Sequence, residues 1–331
     1  MYSGECPKLQ LNILSKLSTL RKEVSQVEIG EEQAEQRIDN FLVREFKGVP
    51  KSHVYRLLRT GQVRVNSGRI DAAYRLKMGD VVRLPPVRTA QPPVAKAPAP
   101  GDPSAVVYED DALLVIDKPA GLAVHGGSGI SYGVIEQLRA QRPHARFLEL
   151  VHRLDRDTSG LLMVAKKRSA LTEMHRQLRE GEVEKRYLAM VLGHWRNAKQ
   201  RVRAPLLRYL TGEGERRVSV NPEGQSADTL FLLQASWPEF ALLEAQLGTG
   251  RTHQIRVHLS HLGFPIAGDS KYGDEERNKA LKKRGLRRLF LHAAKLSFMH
   301  PLKEEKIQLD APLPKELADF LGCLEQDSNH G

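Results

Sequence analysis

The densest cluster of reactive side chains is His152-Arg153-Leu154-Asp155-Arg156-Asp157-Thr158-Ser159-Gly160, set between apolar runs at 147–151 and 161–165. Polar groups on a short loop between two β-like segments can point into a cleft while a rigid scaffold holds them. Three chemistries compete for the loop. As a calcium loop, Asp155, Asp157, Ser159 and Gly160 occupy positions 1, 3, 5 and 6, but position 12 is Lys166 where a bidentate Glu is needed. A lysine repels the ion, so that reading is discarded. As a turn, Asp-Arg-Asp-Thr-Ser-Gly is ordinary surface chemistry. As a catalytic loop, a carboxylate flanked by two arginines is expected to stay ionised at neutral pH and to act as nucleophile or base.

Other candidate chemistries fall away. His152, His253, His258 and His261 invite a zinc reading, but they share no ligand spacing, no cysteine is near, and Arg256 intervenes. A nucleotide cradle at Gly127-Ser-Gly129 fails because the sixth position of the fingerprint is Tyr132 rather than glycine or alanine. The expectation is therefore no metal and no cofactor. Cys6 and Cys323 stand near opposite ends of the chain and build neither a disulfide framework nor a cysteine zinc site, which suits a reducing compartment. No signal peptide is legible at the N-terminus, and no stretch approaches the roughly 18 apolar residues of a membrane span. A cytoplasmic protein with no membrane partner is expected.

The elements that must position the loop come next. A chain of 331 residues suggests two domains. The segment 86–103 is rich in proline, with Pro92, Pro93, Pro98, Pro100 and Pro103, and holds almost no large apolar side chain, so it reads as a semi-extended linker. Residues 1–27 read as an N-terminal extension without order, 28–85 as a small module, and 104–325 as a catalytic-sized domain. In the small module Ile38, Phe41 and Leu42, then Val54, Leu57 and Leu58, fall at i, i+3, i+4 and predict two helices. Ser52 is the expected N-cap of the second helix and Gly61 its stop. Strands follow around Val63 and Val65 and at 81–84.

The formal net charge is +11. Residues 36–85 carry eleven Lys or Arg against four Asp or Glu, a net of +7, so this module holds most of the excess. A localised basic module is an electrostatic grip for a phosphate backbone. In the larger unit, β-rich runs at 106–108, 113–117, 161–165, 187–192, 229–233, 240–247 and 289–298 do not alternate regularly with the helical runs at 133–141, 169–180, 252–262 and 314–324. An α+β domain with a mixed or largely antiparallel sheet is predicted, not a doubly wound one.

The small module resembles the S4 RNA-binding domain in Gln36-Arg37-Ile38-Asp39-Asn40-Phe41-Leu42, in 52–66 and in Gly79-Asp80-Val81-Val82. The resemblance implies two helices and a small sheet that grip structured RNA, with Arg37, Lys51, Ser52, Arg56, Arg59 and Arg64 as the contacts. The larger unit resembles the RluA-type pseudouridine synthases in 152–160, in Asp117-Lys118-Pro119-Ala120-Gly121, in Lys185-Arg186-Tyr187, in 250–258, in Gly268-Asp269 with Tyr272-Gly273, and in Leu291-His292-Ala293. The two likenesses together cover roughly 27–322.

This second resemblance implies that Asp155 is the catalytic carboxylate, that Tyr187 stacks on the base or relays a proton, and that Arg251 pairs with Asp155. It also implies that Arg153 fills the space of a flipped base. Gly-Val-Pro-Lys-Ser (48–52), 123–129 and 147–151 point within the family to the branch acting on large-subunit (23S) ribosomal RNA at more than one site. The partner would be that RNA, free or in pre-ribosomal particles, and the enzyme a monomer. The alternative, a non-catalytic S4-type ribosome-associated RNA-binding protein, is expected to lack Asp155 or Arg251, and both are present. A methyltransferase would need a Gly-rich cofactor loop after a strand, and none is found.

Overall fold

The computed structural model describes residues 24–46, 48–87, 105–126, 132–212 and 214–329. The expected extension up to residue 23 and most of the expected linker lie outside the described residues. The chain divides into two compact units, Met1–Lys96 and Ala97–Gly331.

In the first unit the chain runs β1 (Ser25–Glu28), α1 (Ile38–Glu45), α2 (Lys51–Arg59), β2 (Arg64–Val65) and β3 (Val81–Leu84). The antiparallel sheet has the order β1-β3-β2. Ile38, Phe41 and Leu42 of α1 and Val54, Leu57 and Leu58 of α2 are buried against Val65, Val82 and Leu84. Two sequence expectations need correction. Residues 25–27, assigned to a disordered extension, belong to β1, where Val27 pairs with Val82. A four-residue edge strand with one large apolar side chain carries no period to read. Ser52 does not cap α2: the capping position is Pro50, and no side chain closes that end. Proline's fixed φ pre-sets the chain for a helix start, which places Ser52 within the first turn. Gly61 does take the left-handed conformation just past the helix, φ +69°.

The second unit is built on a ten-stranded sheet. Its main path joins β4 (Ala105–Glu109), β5 (Leu113–Lys118), β7 (Ser159–Ala165), β14 (Leu291–Met299), β8 (Glu184–Leu192), β13 (Phe240–Leu247), β12 (Asp228–Ser236) and β9 (Lys199–Arg203), in that order. The short β6 (Glu149–Leu150) pairs with β7, and β15 (Lys306–Asp310) with β14. Among the described strands only β7 and β14 run parallel, so the sheet is mixed and largely antiparallel, as predicted. The strands β10 (Leu206–Leu210) and β11 (Arg216–Val220) form a separate hairpin. Helices α3 (Val134–Gln141), α4 (Arg168–Glu180), α5 (Gln254–His261), α6 (Glu275–Lys283) and α7 (Lys315–Asn329) complete the unit.

The apolar runs of β5 and β7 are unbroken because both sheet faces are covered. Leu114, Ile116, Leu162 and Val164 join one core, while Leu113, Val115, Leu161 and Met163 join another on the opposite face. Of the elements that periodicity did not reveal, β9, β11, β15 and α6 are rich in charge with few apolar residues to set a period, and β10 (LLRYL) is apolar but does not alternate. At the crossing of β7 and β14, Gly160 (φ +110°) pairs with Ala293; a Cβ there would stand 2.3 Å from the Ala293 carbonyl oxygen. Only glycine admits that approach.

Candidate active site

Asp155 lies in the 151–158 loop between β6 and β7. Leu154 is buried in the core and anchors the loop, leaving Arg153 exposed on one side and Asp155 partly buried on the other. Lys118, at the end of the neighbouring β5, braces the same loop from behind. Its fully buried ammonium donates to the carbonyls of Pro119 (2.7 Å), Leu122 (2.9 Å) and Arg156 (3.1 Å). Burial, with Arg288 adding to it, lowers the Lys118 pKa to about 8. The loop's His152 accepts the Met163 backbone N–H on Nε2 at 3.1 Å, and burial drops its pKa to about 3, so the ring is neutral.

The partner of Asp155 arrives from elsewhere in the chain. Arg256, in the first turn of α5, places Nη1 3.4 Å from Asp155 Oδ2. The rest of its fork is held by Asp269, with Nε to Oδ2 at 2.7 Å and Nη2 to Oδ1 at 2.8 Å. Asp269 is buried and also accepts the backbone N–H groups of Lys271 (2.8 Å) and Tyr272 (3.0 Å). Burial acts against both charges of this pair. The mutual attraction outweighs it, so Arg256 is raised above its ordinary value and Asp269 lowered below its own. The Tyr272 ring underlies the Arg256 guanidinium, 5.1 Å from carbon to centroid. The guanidinium is thus fixed by a bidentate carboxylate before it meets Asp155.

This overturns one expectation. Arg251 does not pair with Asp155: it lies at the cleft wall, and its Nε donates to the Ser226 carbonyl at 3.0 Å. The two arginines adjacent to Asp155 in sequence do not pair with it either. Arg156 turns to Asp157 at 3.1 Å, and Arg153 is exposed. The local spacing hid the partner because α5 folds back over the loop from 101 residues away. The sequence showed only that Arg256 stands between the apolar Ile255 and Val257; the structure adds that every residue from 254 to 259 is buried. A buried arginine requires a partner.

Tyr187 is on β8, where Ala293 of β14 is its cross-strand neighbour on one side and Ala245 of β13 on the other. Ala293 also pairs with Gly160, so one residue registers the tyrosine strand against the start of β7, directly after the Asp155 loop. The phenol is 7% exposed at the cleft floor. Burial first, and the Asp155 charge second, raise its pKa, so it stays a neutral O–H at physiological pH. Asp155, Tyr187, Arg256, Arg153 and Arg251 line one cleft of about 2110 Å³, walled on one side by the β10–β11 hairpin. The histidines of the zinc reading are dispersed. Besides His152 in the loop, His253 pairs with Tyr272, His258 lies between Thr229 and the Ala204 carbonyl, and His261 is exposed.

In the first unit, Lys51, Ser52, Arg56 and Arg59 stand together on the exposed face of α2, opposite its buried Val54, Leu57 and Leu58. Arg37 is engaged by Asp39 at 2.7 Å, and Arg64 donates to the Gly61 and Ser67 carbonyls.

Residues 112–261 match the family described as RNA pseudouridylate synthase, and residues 36–82 match the S4 domain. The chain is 51% identical to the ribosomal large subunit pseudouridine synthase C of Yersinia pestis over 310 residues, 92% of this chain and 97% of that one. The chain belongs to the RNA pseudouridylate synthase family. A second relative, the ribosomal large subunit pseudouridine synthase C of Escherichia coli (strain K12), is 51% identical over 322 residues, 95% of this synthase and 99% of the relative. Among solved structures, human RNA Pseudouridylate Synthase Domain Containing 4 aligns with a TM-score of 0.55 at 29% identity, covering 66% of this chain and 92% of the human one. Every element that brings Asp155, Tyr187 and Arg256 to the cleft lies in the pseudouridine synthase unit or its continuation to β14.

Proposed function

We propose that this synthase isomerises uridines to pseudouridine in large-subunit ribosomal RNA, with Asp155 as the catalytic carboxylate and Arg256 as its fixed partner. The observation that carries the reading is the Asp155–Arg256–Asp269 chain beside the buried Tyr187 at the floor of an open basic cleft. The reaction breaks the bond between uracil N1 and ribose C1′ and forms a bond from C5 to C1′, with the C5 proton lost and a proton left on N1. It needs no redox partner and no donor group. What it requires is a carboxylate to stabilise or trap an intermediate, a surface to hold the detached base, and a cleft that accepts an extruded nucleotide.

Asp155 meets the first need. Tyr187 offers a ring face for the base and a phenol that remains protonated. Arg153, exposed at the cleft edge, suits the stacking vacancy that a flipped base leaves, because a guanidinium plane stacks well. The exposed basic face of α2 fits a phosphate backbone and holds structured RNA by shape. The names of the relatives and their coverage of almost the whole chain support large-subunit ribosomal RNA as the substrate. We assign the protein to the cytoplasm, acting as a monomer on that RNA or on a pre-ribosomal particle; among the described residues no helix is long and apolar enough to cross a membrane.

The test is direct. Purified protein is incubated with unmodified large-subunit ribosomal RNA, and pseudouridine is mapped by chemical adduct. Site-specific pseudouridine with the wild-type protein and none with Asp155→Asn is the expected result. Equal product from both proteins overturns the assignment of the carboxylate.

A further inference from the structure

The motif at 250–258 contains a histidine with no part in the chemistry of Asp155, Tyr187 and Arg256. His253 is the residue before α5, and it is one of the few non-glycine residues with positive φ, at φ +53° and ψ +22°. A side chain held in that sparsely populated region marks a position over-determined by its surroundings. Its ring is directed by Tyr272, whose hydroxyl lies 2.7 Å from His253 Nδ1. The same hydroxyl accepts the backbone N–H of Val218 at 3.1 Å. A phenol has one proton to give, and with the Val218 N–H on its oxygen that proton is free to go to Nδ1. Nδ1 is then an acceptor, and the neutral ring carries its hydrogen on Nε2.

Nε2 faces the catalytic carboxylate, 3.9 Å from Asp155 Oδ1, while Arg256 holds Oδ2 at 3.4 Å. The gap is just beyond hydrogen-bond reach, and hydrogen bonds of catalytic groups commonly tighten only when substrate is bound. The charged and titratable groups facing the ring are Asp155 from the loop, Arg256 from α5, and Asp269, Lys271 and Tyr272 from the segment after it. Burial of the ring lowers its pKa, which keeps it neutral at physiological pH.

Resting on the reading of Asp155 as the catalytic group, we propose that His253 is a positioning residue for it. Locked by Tyr272 with its proton on Nε2, it donates to Asp155 Oδ1 as substrate closes the site. Arg256 and His253 then hold one carboxylate oxygen each. The carboxylate is left with a single orientation toward the sugar and base, and misplacement of a reacting group by about 1 Å can cost on the order of 100-fold in rate.

Four full-length proteins decide the matter: wild type, His253→Phe, His253→Gln and Asp155→Asn. Phenylalanine keeps a ring without a donor, and glutamine keeps an N–H at about the place of Nε2. Against ribosomal RNA, His253→Phe should lose about 10- to 100-fold in kcat with KM and RNA affinity within a factor of about three. His253→Gln should recover most of that loss. Wild-type kcat in His253→Phe, or equal damage in the phenylalanine and glutamine variants, overturns the proposal, since the donor would then not be what the histidine supplies. Ring 1H–15N correlation spectra of the wild type add a readout independent of turnover. An Nε2–H tautomer for the resonance that disappears in His253→Gln is expected, and an Nδ1–H tautomer overturns the proposal. Asp155→Asn separates the two levels: if it remains active, the reading of the carboxylate fails, whatever the histidine variants do.

Discussion

At the scale of the residue, the site is a chain of charges in which each member fixes the next. Asp269 is buried, holds Arg256 by two bonds, and thereby aims the remaining guanidinium nitrogen at Asp155. Arg256→Met removes a buried cation and leaves Asp269 uncompensated, a change that costs about 3 to 5 kcal/mol in stability. Adding Asp269→Asn removes the stranded charge, so the double variant should regain much of that stability in chemical denaturation while remaining without synthase activity. Activity in the double variant would show that Arg256 serves Asp269 alone. A second residue gives a pH effect. Half-buried His152 takes up a proton in the folded state only near pH 3, whereas in the unfolded chain it does so near its ordinary 6.5. The unfolded state therefore binds more protons as the pH falls between these values, and folding stability is lost over that window. His152→Gln can still accept from the Met163 N–H without titrating. Its stability should fall less steeply from pH 6.5 to 4; parallel curves would show that this ring does not contribute to acid lability.

At the scale of the element, two features do separate work. The first is the meeting of β7, β14 and β8, where Gly160 and Tyr187 share Ala293 as neighbour. A methyl group at 160 would collide with the Ala293 backbone and would also sit at φ +110°. Gly160→Ala should lower the melting temperature sharply and yield little soluble enzyme. Gly181→Ala, at a left-handed helix end with open space around its Cβ position, should cost only about 1 to 2 kcal/mol of backbone strain. Equal melting temperatures for the two variants would refute the close approach. The second feature is the α2 face. Reversing Lys51, Arg56 and Arg59 to glutamate leaves the buried face of the helix untouched, so the fold should persist. RNA affinity should drop, and the slope of log K against log salt should become shallower by about 0.7 to 0.9 for each phosphate that is no longer neutralised. An unchanged slope would remove α2 from the RNA interface.

At the scale of the whole molecule, one basic unit and one catalytic unit are joined in a single chain, with most of the net positive charge in the smaller unit. Gripping RNA by shape and backbone leaves sequence largely unread. The choice of uridine then depends on which bases leave their stack cheaply, and flipping is least costly where a base is poorly stacked. The modified positions should accordingly lie in loops or irregular junctions of large-subunit ribosomal RNA, and more than one should depend on this protein. Mapping pseudouridines across ribosomal and transfer RNA in a deletion strain checks both statements. Loss confined to transfer RNA, with the large-subunit pattern intact, would overturn the substrate assignment and leave the chemistry standing.

The mixed-sheet class and the basic module were legible in the linear chain, and so were the two residues, Asp155 and Tyr187, that the fold brings to one cleft. Their signals are local: a dense polar loop between apolar runs, a charge excess within fifty residues, helical and β periodicities of a few turns each. The partner of Asp155 was not legible. Two arginines beside it in sequence, and a third at the head of the 250–258 motif, offered themselves, yet Arg156 turns to Asp157 and Arg251 to a backbone carbonyl. Only the packing of α5 over the loop brings Arg256 to the carboxylate, and only burial makes its pairing with Asp269 obligatory. The strands β9, β10, β11 and β15 escaped notice for a related reason: they are held by hydrogen bonding to neighbouring strands, which leaves no periodic trace in the segment itself. Local chemistry determined which groups could react, and long-range packing decided which of them meet.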